Sequence, residues 1–232
     1  KNMLSDKNMA ILVDFETSKN IFPTVDIAGG LCYFLWSNNY NGLCTVVNTD
    51  ATTNKTMSRN LHDFDVFIRS NAAISIVLKV KKLSNVSLNE LVLSINPFGF
   101  RTYFRGREVG IKNDIRVLTS AGWGYVSRKD VKKNIDLISK FKVIIGRFVP
   151  SNGELNLKPG DKYRVITNPQ LLLPGEIHSE TYINVAVFSE KVEAENYIKY
   201  LNSKFARFLL RQSITSVNVT KECFTFVPSQ DF

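Results

Sequence analysis

The sequence of 232 residues predicts a mixed α+β fold. Two patterns occur along it: short continuous apolar runs, which are typical of buried strands, and longer segments in which apolar residues recur at helical spacing. The composition is that of a globular protein, since 44% of the residues are hydrophobic and 11% are aromatic. A chain of this length can form one large domain or two small ones.

The first strands are predicted near the start of the chain. Residues 10–15 are one apolar run, and residues 31–36 are another, whose continuous apolar character indicates a strand covered on both faces. Residues 37–42 end in Asn-Gly, which is strong turn chemistry, and residues 43–47 then return as a strand. We therefore expect a hairpin over residues 31–47, with a larger sheet covering its apolar faces.

The middle of the chain begins with a polar segment at residues 48–60, where we place a domain boundary. Residues 69–82 are predicted to be helical because apolar residues recur at spacings of four. These residues are Ile68, Ala72, Ile76 and Val80. Residues 101–126 alternate apolar and charged residues with several glycines, which predicts short strands and loops. Residues 127–138 are predicted to form a short helix with Ser127 as N-cap.

The last third is predicted to combine strands and helices around a loop-rich stretch at residues 150–180. The predicted strands are residues 142–145, 181–188 and 224–227. Ser189 is predicted to cap a helix, and Ser203 to begin a second segment of it. The apolar stripe of these helices consists of Val192, Tyr197, Leu201, Phe205, Phe208 and Leu209.

Most catalytic motifs are absent from the sequence. His62 and His178 each stand alone in a polar stretch, which favours solvated loop residues over metal ligands or bases. The sequence contains no nucleophile elbow, zinc-protease helix or phosphate-binding loop. Asp63 and Asp65 are the closest carboxylate pair, but no Glu-x-Lys partner completes a nuclease site. A self-sufficient enzyme is therefore disfavoured.

The cysteine content and hydropathy indicate the compartment. The three cysteines, Cys32, Cys44 and Cys223, form neither a disulfide framework nor a metal-ligand cluster, which favours reduced thiols in the cytoplasm. No apolar run approaches the roughly 20 residues that span a bilayer, and the start has no signal-peptide pattern. The sequence lacks an initiator Met and enters a strand almost at once, so we expect a piece of a longer protein.

Positive charge is concentrated in one stretch of the sequence. Residues 99–147 hold twelve Lys and Arg against four Asp and Glu, a net charge of +8, while the whole chain carries +9. Such local charge predicts an anionic partner, of which nucleic acid is the commonest large one. Another anionic partner, a membrane surface, or a solvated basic face without a partner remain alternatives.

Seven basic residues of this stretch are our candidates for DNA contact: Arg101, Arg105, Arg107, Arg128, Lys129, Lys132 and Lys133. Arg101 and Arg105 are the candidates for base reading, because Arg binds guanine through two parallel hydrogen bonds. The four residues on the predicted helix recur at spacings of four, which places them broadly on one side, and its lysines are assigned to phosphates. The interleaved aromatic residues either stack on an unpaired base or belong to the core; they are Phe98, Phe100, Tyr103, Phe104 and Trp123.

Several segments resemble, in order, those of one protein family. Residues 22–36, followed by residues 40–44, resemble the segment late in the catalytic domain of type II restriction-modification adenine-specific DNA methyltransferases. Further similar segments are residues 68–71, 97–99, 181–182, 193–209 and 219–232. The final helix and tail are also similar to the ends of target recognition domains in type I specificity subunits.

The resemblance implies a division of labour between two domains. In that family an N-terminal Rossmann-like domain binds S-adenosylmethionine and carries an Asn-Pro-Pro-Tyr catalytic motif, while a C-terminal domain reads the DNA target. This sequence lacks that motif, because residues 96–99 (Asn-Pro-Phe-Gly) correspond to a Pro-Phe-Gly of the recognition domain. No cofactor glycine motif precedes residue 22. We therefore carry over no catalytic or cofactor-binding residue.

From the resemblance we expect residues 1–55 to be the end of the methyltransferase sheet and residues 60–232 to be an α+β target recognition domain. The expected partners are double-stranded DNA and the N-terminal methyltransferase domain of the parent chain, with S-adenosylmethionine as the parent's cofactor. The expected location is the bacterial cytoplasm. Many members carry a fused nuclease, so the parent is expected to methylate DNA and, in one alternative, to cleave it. Another alternative is a stand-alone specificity subunit that docks a separate methylase.

Overall fold

The computed structural model describes residues 3–15, 17–25, 27, 30–49, 54–150, 164–214 and 216–232. Over these residues the protein is mixed α+β, as predicted, with ten strands in three sheets and three α-helices. None of the helices in the described ranges is long and apolar enough to cross a membrane. The loop-rich stretch predicted at residues 150–180 lies partly outside the described residues, because they omit 151–163.

A four-stranded sheet forms from the first 59 residues. Its strands are β1 (Met9–Phe15), β2 (Leu31–Trp36), β3 (Cys44–Thr49) and β4 (Asn54–Arg59), in the order β2-β1-β3-β4. β1 pairs antiparallel with β2 and parallel with β3, and β4 pairs antiparallel with β3. The strands predicted in this part are confirmed, but the predicted hairpin is wrong because β1 lies between β2 and β3.

Asn8 holds the segment between β2 and β3 beside the start of β1. Its side-chain amide donates hydrogen bonds to the carbonyl oxygens of Ser37, Asn38 and Tyr40, at 3.2, 3.2 and 2.8 Å. The backbone N–H of Ser37 also donates to the Asn8 carbonyl. These bonds hold the turn after β2 across the start of β1, so the chain enters β3 on the far side of β1.

β2 is an exposed edge strand rather than the buried strand predicted. Its last four side chains, Tyr33, Phe34, Leu35 and Trp36, are between 46% and 58% exposed. β1 pairs with one edge of β2, and no strand of the described ranges pairs with the other. Neighbouring segments add further exposed apolar side chains, which are Ile11, Ile21, Phe22, Val25, Ile27 and Leu43. The first sheet therefore ends in an open apolar edge.

A polar junction connects the first sheet to the following residues. Arg69 donates to both carboxylate oxygens of Asp14, at 3.0 and 2.9 Å. The side-chain amide of Asn71 donates to one carbonyl oxygen in β3 and one in β4. The domain boundary predicted at residues 48–60 falls in a segment that includes β4, and it stays a prediction.

The other strands are β5 (Asp114–Thr119), β6 (Gly122–Ser127), β7 (Phe141–Gly146), β8 (Gln170–Leu172), β9 (Glu176–His178) and β10 (Tyr182–Phe188). The second sheet is antiparallel with the order β10-β7-β8, and the third has the order β6-β5-β9 with β5 and β9 parallel. The strands and loops predicted at residues 101–126, and the strands predicted near β7 and β10, are confirmed.

Three helices pack against the second sheet to form the main core: α1 (Ile74–Leu83), α2 (Lys191–Leu201) and α3 (Lys204–Ser213). The predicted helix at residues 69–82 is confirmed in its C-terminal part. Half of its predicted stripe is confirmed, because Ile68 and Val80 are buried, whereas Ala72 and Ile76 are exposed. Ser203 caps α3 as predicted, accepting a hydrogen bond from the Ala206 N–H at 3.1 Å. Two residues of the predicted α2–α3 stripe, Val192 and Phe205, are exposed, whereas Tyr197, Leu201 and Leu209 are fully buried.

No α-helix forms over residues 127–138. Two 3₁₀ turns, Arg128–Asp130 and Ile135–Ser139, stand in its place, and the Ser127 side chain makes no cap hydrogen bond. Val131 interrupts the helical path because it is extended and buried in a small core beneath the third sheet. Asn134 is left-handed, with φ of 49°, and its side-chain amide donates to the Pro97 carbonyl at 2.7 Å. The closing strand predicted at residues 224–227 is also wrong, since the 3₁₀ turn Lys221–Phe224 ends there.

Candidate nucleic-acid interface

The candidate residues lie around the hairpin formed by β5 and β6. Asp114 pairs with Ser127 at one end of this hairpin, which we call the open end. At the other end, Ser120 and Ala121 connect the strands, and we call this the turn end. β5 runs from Asp114 to Thr119, so the two ends are about 17 Å apart at the usual rise per strand residue.

The open end carries Arg107 and Arg128. The Arg107 guanidinium forms an ion pair with the Asp114 carboxylate, whose side chain is only 5% exposed while that of Arg107 is 48% exposed. Arg128 directly follows Ser127, the residue that faces Asp114, and its side chain is exposed. The two arginines therefore share one end of the hairpin.

Three further basic residues from the segment predicted to be helical are exposed near Arg128 in the sequence. They are Lys129, Lys132 and Lys133. The predicted sharing of one helix side is wrong, because the 3₁₀ turn ends before Val131. The Lys132 ammonium donates to the Lys129 carbonyl at 2.8 Å, which tightens this segment. The assignment of these lysines to phosphates stays a prediction.

The turn end carries a carboxylate between two arginines. Glu180 Oε2 lies 3.1 Å from Arg101 Nη1, and Glu180 Oε1 lies 2.9 Å from Arg147 Nη1. The Glu180 side chain is 11% exposed, compared with 60% for Arg101 and 26% for Arg147. The Ser120 hydroxyl donates to the Thr102 carbonyl, and this bond fixes the loop of Arg101 to the hairpin turn.

Arg105 lies in the loop that runs between the two ends. Its Nη1 donates to the carbonyl oxygens of Thr102 and Phe104, at 2.8 and 3.0 Å, so the side chain folds back on its own loop. This loop packs so closely on β6 that a Cβ at Gly124 would lie 2.3 Å from the Arg105 carbonyl. The space beside Gly124 is thus filled by protein and has no room for a cofactor.

The middle of the hairpin presents one further arginine. Arg116 Nη1 lies 2.8 Å from Glu176 Oε1, and its guanidinium carbon lies 4.2 Å from the centre of the Trp123 ring. Trp123 and Tyr103 are 43% and 78% exposed. Arg116 covers one face of the Trp123 ring, so Tyr103 is the more accessible of the two for stacking on a base. The other aromatic candidates belong to the small core: Phe98 and Phe100 are buried and Phe104 packs on Phe100.

Comparisons with known proteins give one short likeness. A segment of 35 residues, 15% of this chain, is 54% identical to part of an uncharacterized adenine-specific methylase of Mycoplasma pneumoniae. The chain matches only 8% of the length of that protein. No protein-family model matches the sequence. The likeness supports a relationship to methylases over this segment, and it leaves the restriction-modification type as a proposal.

Two basic residues of the charged stretch are structural. Lys142 is fully buried, and its ammonium donates to the carbonyl oxygens of Leu137, Ile138 and Lys140. Burial lowers the Lys142 pKa to about 8. Lys140 donates to the Ser189 hydroxyl at 3.0 Å, which joins the residues before β7 to those before α2. Lys142 therefore contributes to the fold and not to a surface for anions.

The two histidines lie in different environments. His178 was expected in solvent, but it is fully buried at the end of β9, and burial lowers its pKa to about 4. Its Nδ1 lies 2.9 Å from the Ser179 carbonyl, and its ring meets Phe98 edge-on. His62 is exposed, as expected. Within the described ranges, no group of three or more His, Cys, Asp or Glu residues is arranged to hold a metal ion.

The residues that the sequence did not predict are the carboxylates and Arg147. Glu180 lies 79 positions after Arg101, and Glu176 lies 60 positions after Arg116. No local spacing in the sequence therefore predicts these ion pairs. Arg147 ends the basic stretch but stands apart from its clusters. Only the return of the chain through β9 and β10 brings these partners to the hairpin.

Proposed function

We propose that this chain recognises double-stranded DNA in a sequence-specific manner, as part of an adenine-specific DNA methyltransferase of a restriction-modification system. In this proposal the present residues position one adenine for methylation. An N-terminal domain of the parent protein binds S-adenosylmethionine, which supplies the methyl group. No residue of this chain is assigned to methyl transfer or to the cofactor.

The observation that carries the proposal is the charged hairpin. Three exposed arginines, one at its open end, one in its middle and one at its turn end, each form an ion pair with a less exposed carboxylate. The pairs are Arg107–Asp114, Arg116–Glu176 and Arg101–Glu180. Arginine with a supported guanidinium is suited to the planar acceptors of phosphates and base edges. Positive side chains spread over about 17 Å match an extended anion better than a compact one.

The open edge of the first sheet supports a methyltransferase domain as partner. β2 exposes apolar side chains on both of its faces, because successive residues of a strand point to opposite sides. A strand of this composition is typical of the interior of a sheet that is covered on both faces. Pairing of β2 with a strand of a larger sheet would bury these side chains and satisfy its free backbone groups.

A salt titration of duplex binding tests the proposal. The logarithm of the association constant should fall linearly with the logarithm of salt concentration, because bound phosphates release counterions. Lys132→Ala should make the slope shallower by about one unit if Lys132 contacts a phosphate. Lys199→Ala, an exposed lysine on α2, is the matched control and should leave the slope unchanged. A salt-independent affinity would contradict DNA binding through these residues.

A stand-alone specificity subunit is the second candidate, since the β2 edge would fit a methylase on a separate chain equally well. Strong capture of a methylase, together with no duplex affinity at low salt, would favour a docking role. Incubation of this chain with duplex DNA and labelled S-adenosylmethionine addresses the self-sufficient enzyme. We expect no methyl transfer above background, and clear transfer would overturn the proposal.

A further inference from the structure

The group of Arg101, Glu180 and Arg147 is assembled from three distant parts of the chain. The Glu180 N–H donates to the Phe100 carbonyl at 2.8 Å, which places the carboxylate beside Arg101. The Arg147 N–H donates to the Thr181 carbonyl at 3.1 Å, so Arg147 approaches the same carboxylate from the other side. The backbone of each partner is therefore fixed before its side chain is considered.

Stability alone gives little reason for this arrangement. Partly exposed ion pairs contribute about 0–1 kcal/mol, and a less exposed carboxylate loses hydration when it leaves water. Glu180 is nearly buried, but its two partners are 60% and 26% exposed. In this group a carboxylate loses its hydration, while the two arginines that it binds remain exposed to solvent.

The chemistry of the group favours base reading by Arg101 over simple attraction of a phosphate. Glu180 cancels one of the two positive charges, which weakens the pull on a polyanion. What it adds is orientation, since the hydrogen bond from Arg101 Nη1 to Glu180 Oε2 restricts the directions in which the guanidinium points. Orientation matters for a pair of hydrogen bonds to the guanine edge, whereas a phosphate is bound well by a freely moving lysine.

Resting on the proposed function, we propose that Glu180 and Arg147 are positioning residues that hold Arg101 against a guanine in the major groove. Arg101 donates one N–H to Glu180 and has further N–H groups on the same planar fork. Arg147 occupies the second carboxylate oxygen and keeps Glu180 from turning toward solvent. Discrimination at one base pair of the target therefore depends on two residues that are less exposed than Arg101 itself.

The test measures discrimination and non-specific affinity separately. The preferred duplex is first selected from a randomised pool with the unaltered chain, and dissociation constants are then measured for it and for every single-base-pair substitution. Glu180→Gln should reduce the discrimination at one G·C pair about tenfold. The same variant should bind unrelated duplexes as well as before or better, because it removes a negative charge. Arg101→Lys, which keeps the charge but loses the fork, should lose discrimination at the same pair.

Glu195→Gln is the matched control. Glu195 lies on α2, where it is 45% exposed and pairs with Lys191. The substitution changes the net charge by the same amount, so it should leave the discrimination at that base pair unchanged. A thermal melt of each variant checks folding, and Arg101→Lys alters a side chain that is 60% exposed and outside any core. A selected site without a Glu180-dependent pair, or equal weakening of all duplexes by Glu180→Gln, would overturn the positioning role while leaving DNA binding intact. Failure of the unaltered chain to bind duplex DNA would overturn the proposed function and this inference with it.

Discussion

The first and third sheets expose opposite kinds of surface. β2 leaves apolar side chains open on both faces and a backbone edge without a described partner strand. The β5–β6 hairpin exposes charged side chains, among them three arginines that are each paired with a carboxylate. Apolar surface is stabilised by removal from water in a dry interface, whereas paired arginines remain soluble and exchange partners with a hydrated anion. One chain thus exposes an apolar strand on one sheet and a charged hairpin on another.

The largest expected effect is a loss of stability on truncating a buried aromatic residue beneath the third sheet, compared with truncating an exposed one on β2. Phe98 is fully buried and Phe34 is 46% exposed. Phe98→Ala should lower the free energy of unfolding by about 3–5 kcal/mol, while Phe34→Ala should lower it by under about 1 kcal/mol. Urea unfolding of both variants checks this. Equal losses would mean that β2 is packed within this chain, and the comparison of the two sheets would fail.

The second-largest expected effect is a loss of stability at acidic pH, which originates in the third sheet. Burial lowers the pKa of His178 to about 4, from 6.5 in the unfolded chain. Above pH 6.5 both states are neutral at this residue, but below it the unfolded chain binds a proton that the folded chain does not. The free energy of unfolding should therefore fall as the pH drops from 6.5, by about 3 kcal/mol at pH 4.

His178→Phe isolates this contribution, since it keeps an aromatic ring and removes the titrating group. The variant should lose less stability than the unaltered chain between pH 7 and pH 4.5, in urea unfolding at each pH. His62→Gln is the control at an exposed histidine. Amide exchange should report the acid loss in β5 and β9 before β1 and β3. Parallel pH profiles of the His178 variant and the unaltered chain would argue against this origin.

The smallest effect on stability is expected for charges on β2. Tyr33 and Leu35 point to one face of the strand and are 58% and 55% exposed. Replacing both by Lys should change the free energy of unfolding by under about 1 kcal/mol, yet it should reduce the binding of a hydrophobic dye and self-association of the chain. Ile76→Lys, at a single exposed apolar residue of α1, is the control and should leave dye binding nearly unchanged. Unchanged dye binding by the double variant would show that β2 is not the dominant apolar surface.

The sequence predicted elements whose cause is local and missed those whose cause is distant. The strands around Val13, Ile144 and Val185 follow from apolar runs, and the start of α3 follows from Ser203. A turn before β3 was predicted, but it lies at Asn38 and Asn39 and not at the Asn-Gly pair. The bonds from Asn8 that hold this turn beside β1 join residues 29 or more positions apart.

The candidate site shows the same limit. The basic residues were found from charge alone, because their clustering is visible in the sequence. Their arrangement was not, since Val131 serves the small core and breaks the expected helix. Glu180 had no signal at all, as a single acidic residue in a stretch of balanced charge. Whether the predicted residues contact DNA stays a prediction.

The length of the β5–β6 hairpin has a consequence for how the chain would meet a duplex. Base pairs are stacked about 3.4 Å apart, so the roughly 17 Å between the hairpin's ends corresponds to about five of them. Five base pairs are about half a helical turn, over which the side of the duplex facing a straight strand changes from major to minor groove. A hairpin lying along the duplex axis would then contact the duplex at two places about half a helical turn apart. With Arg101 in the major groove, Arg107 and Arg128 would reach the sugar-phosphate rim half a turn away.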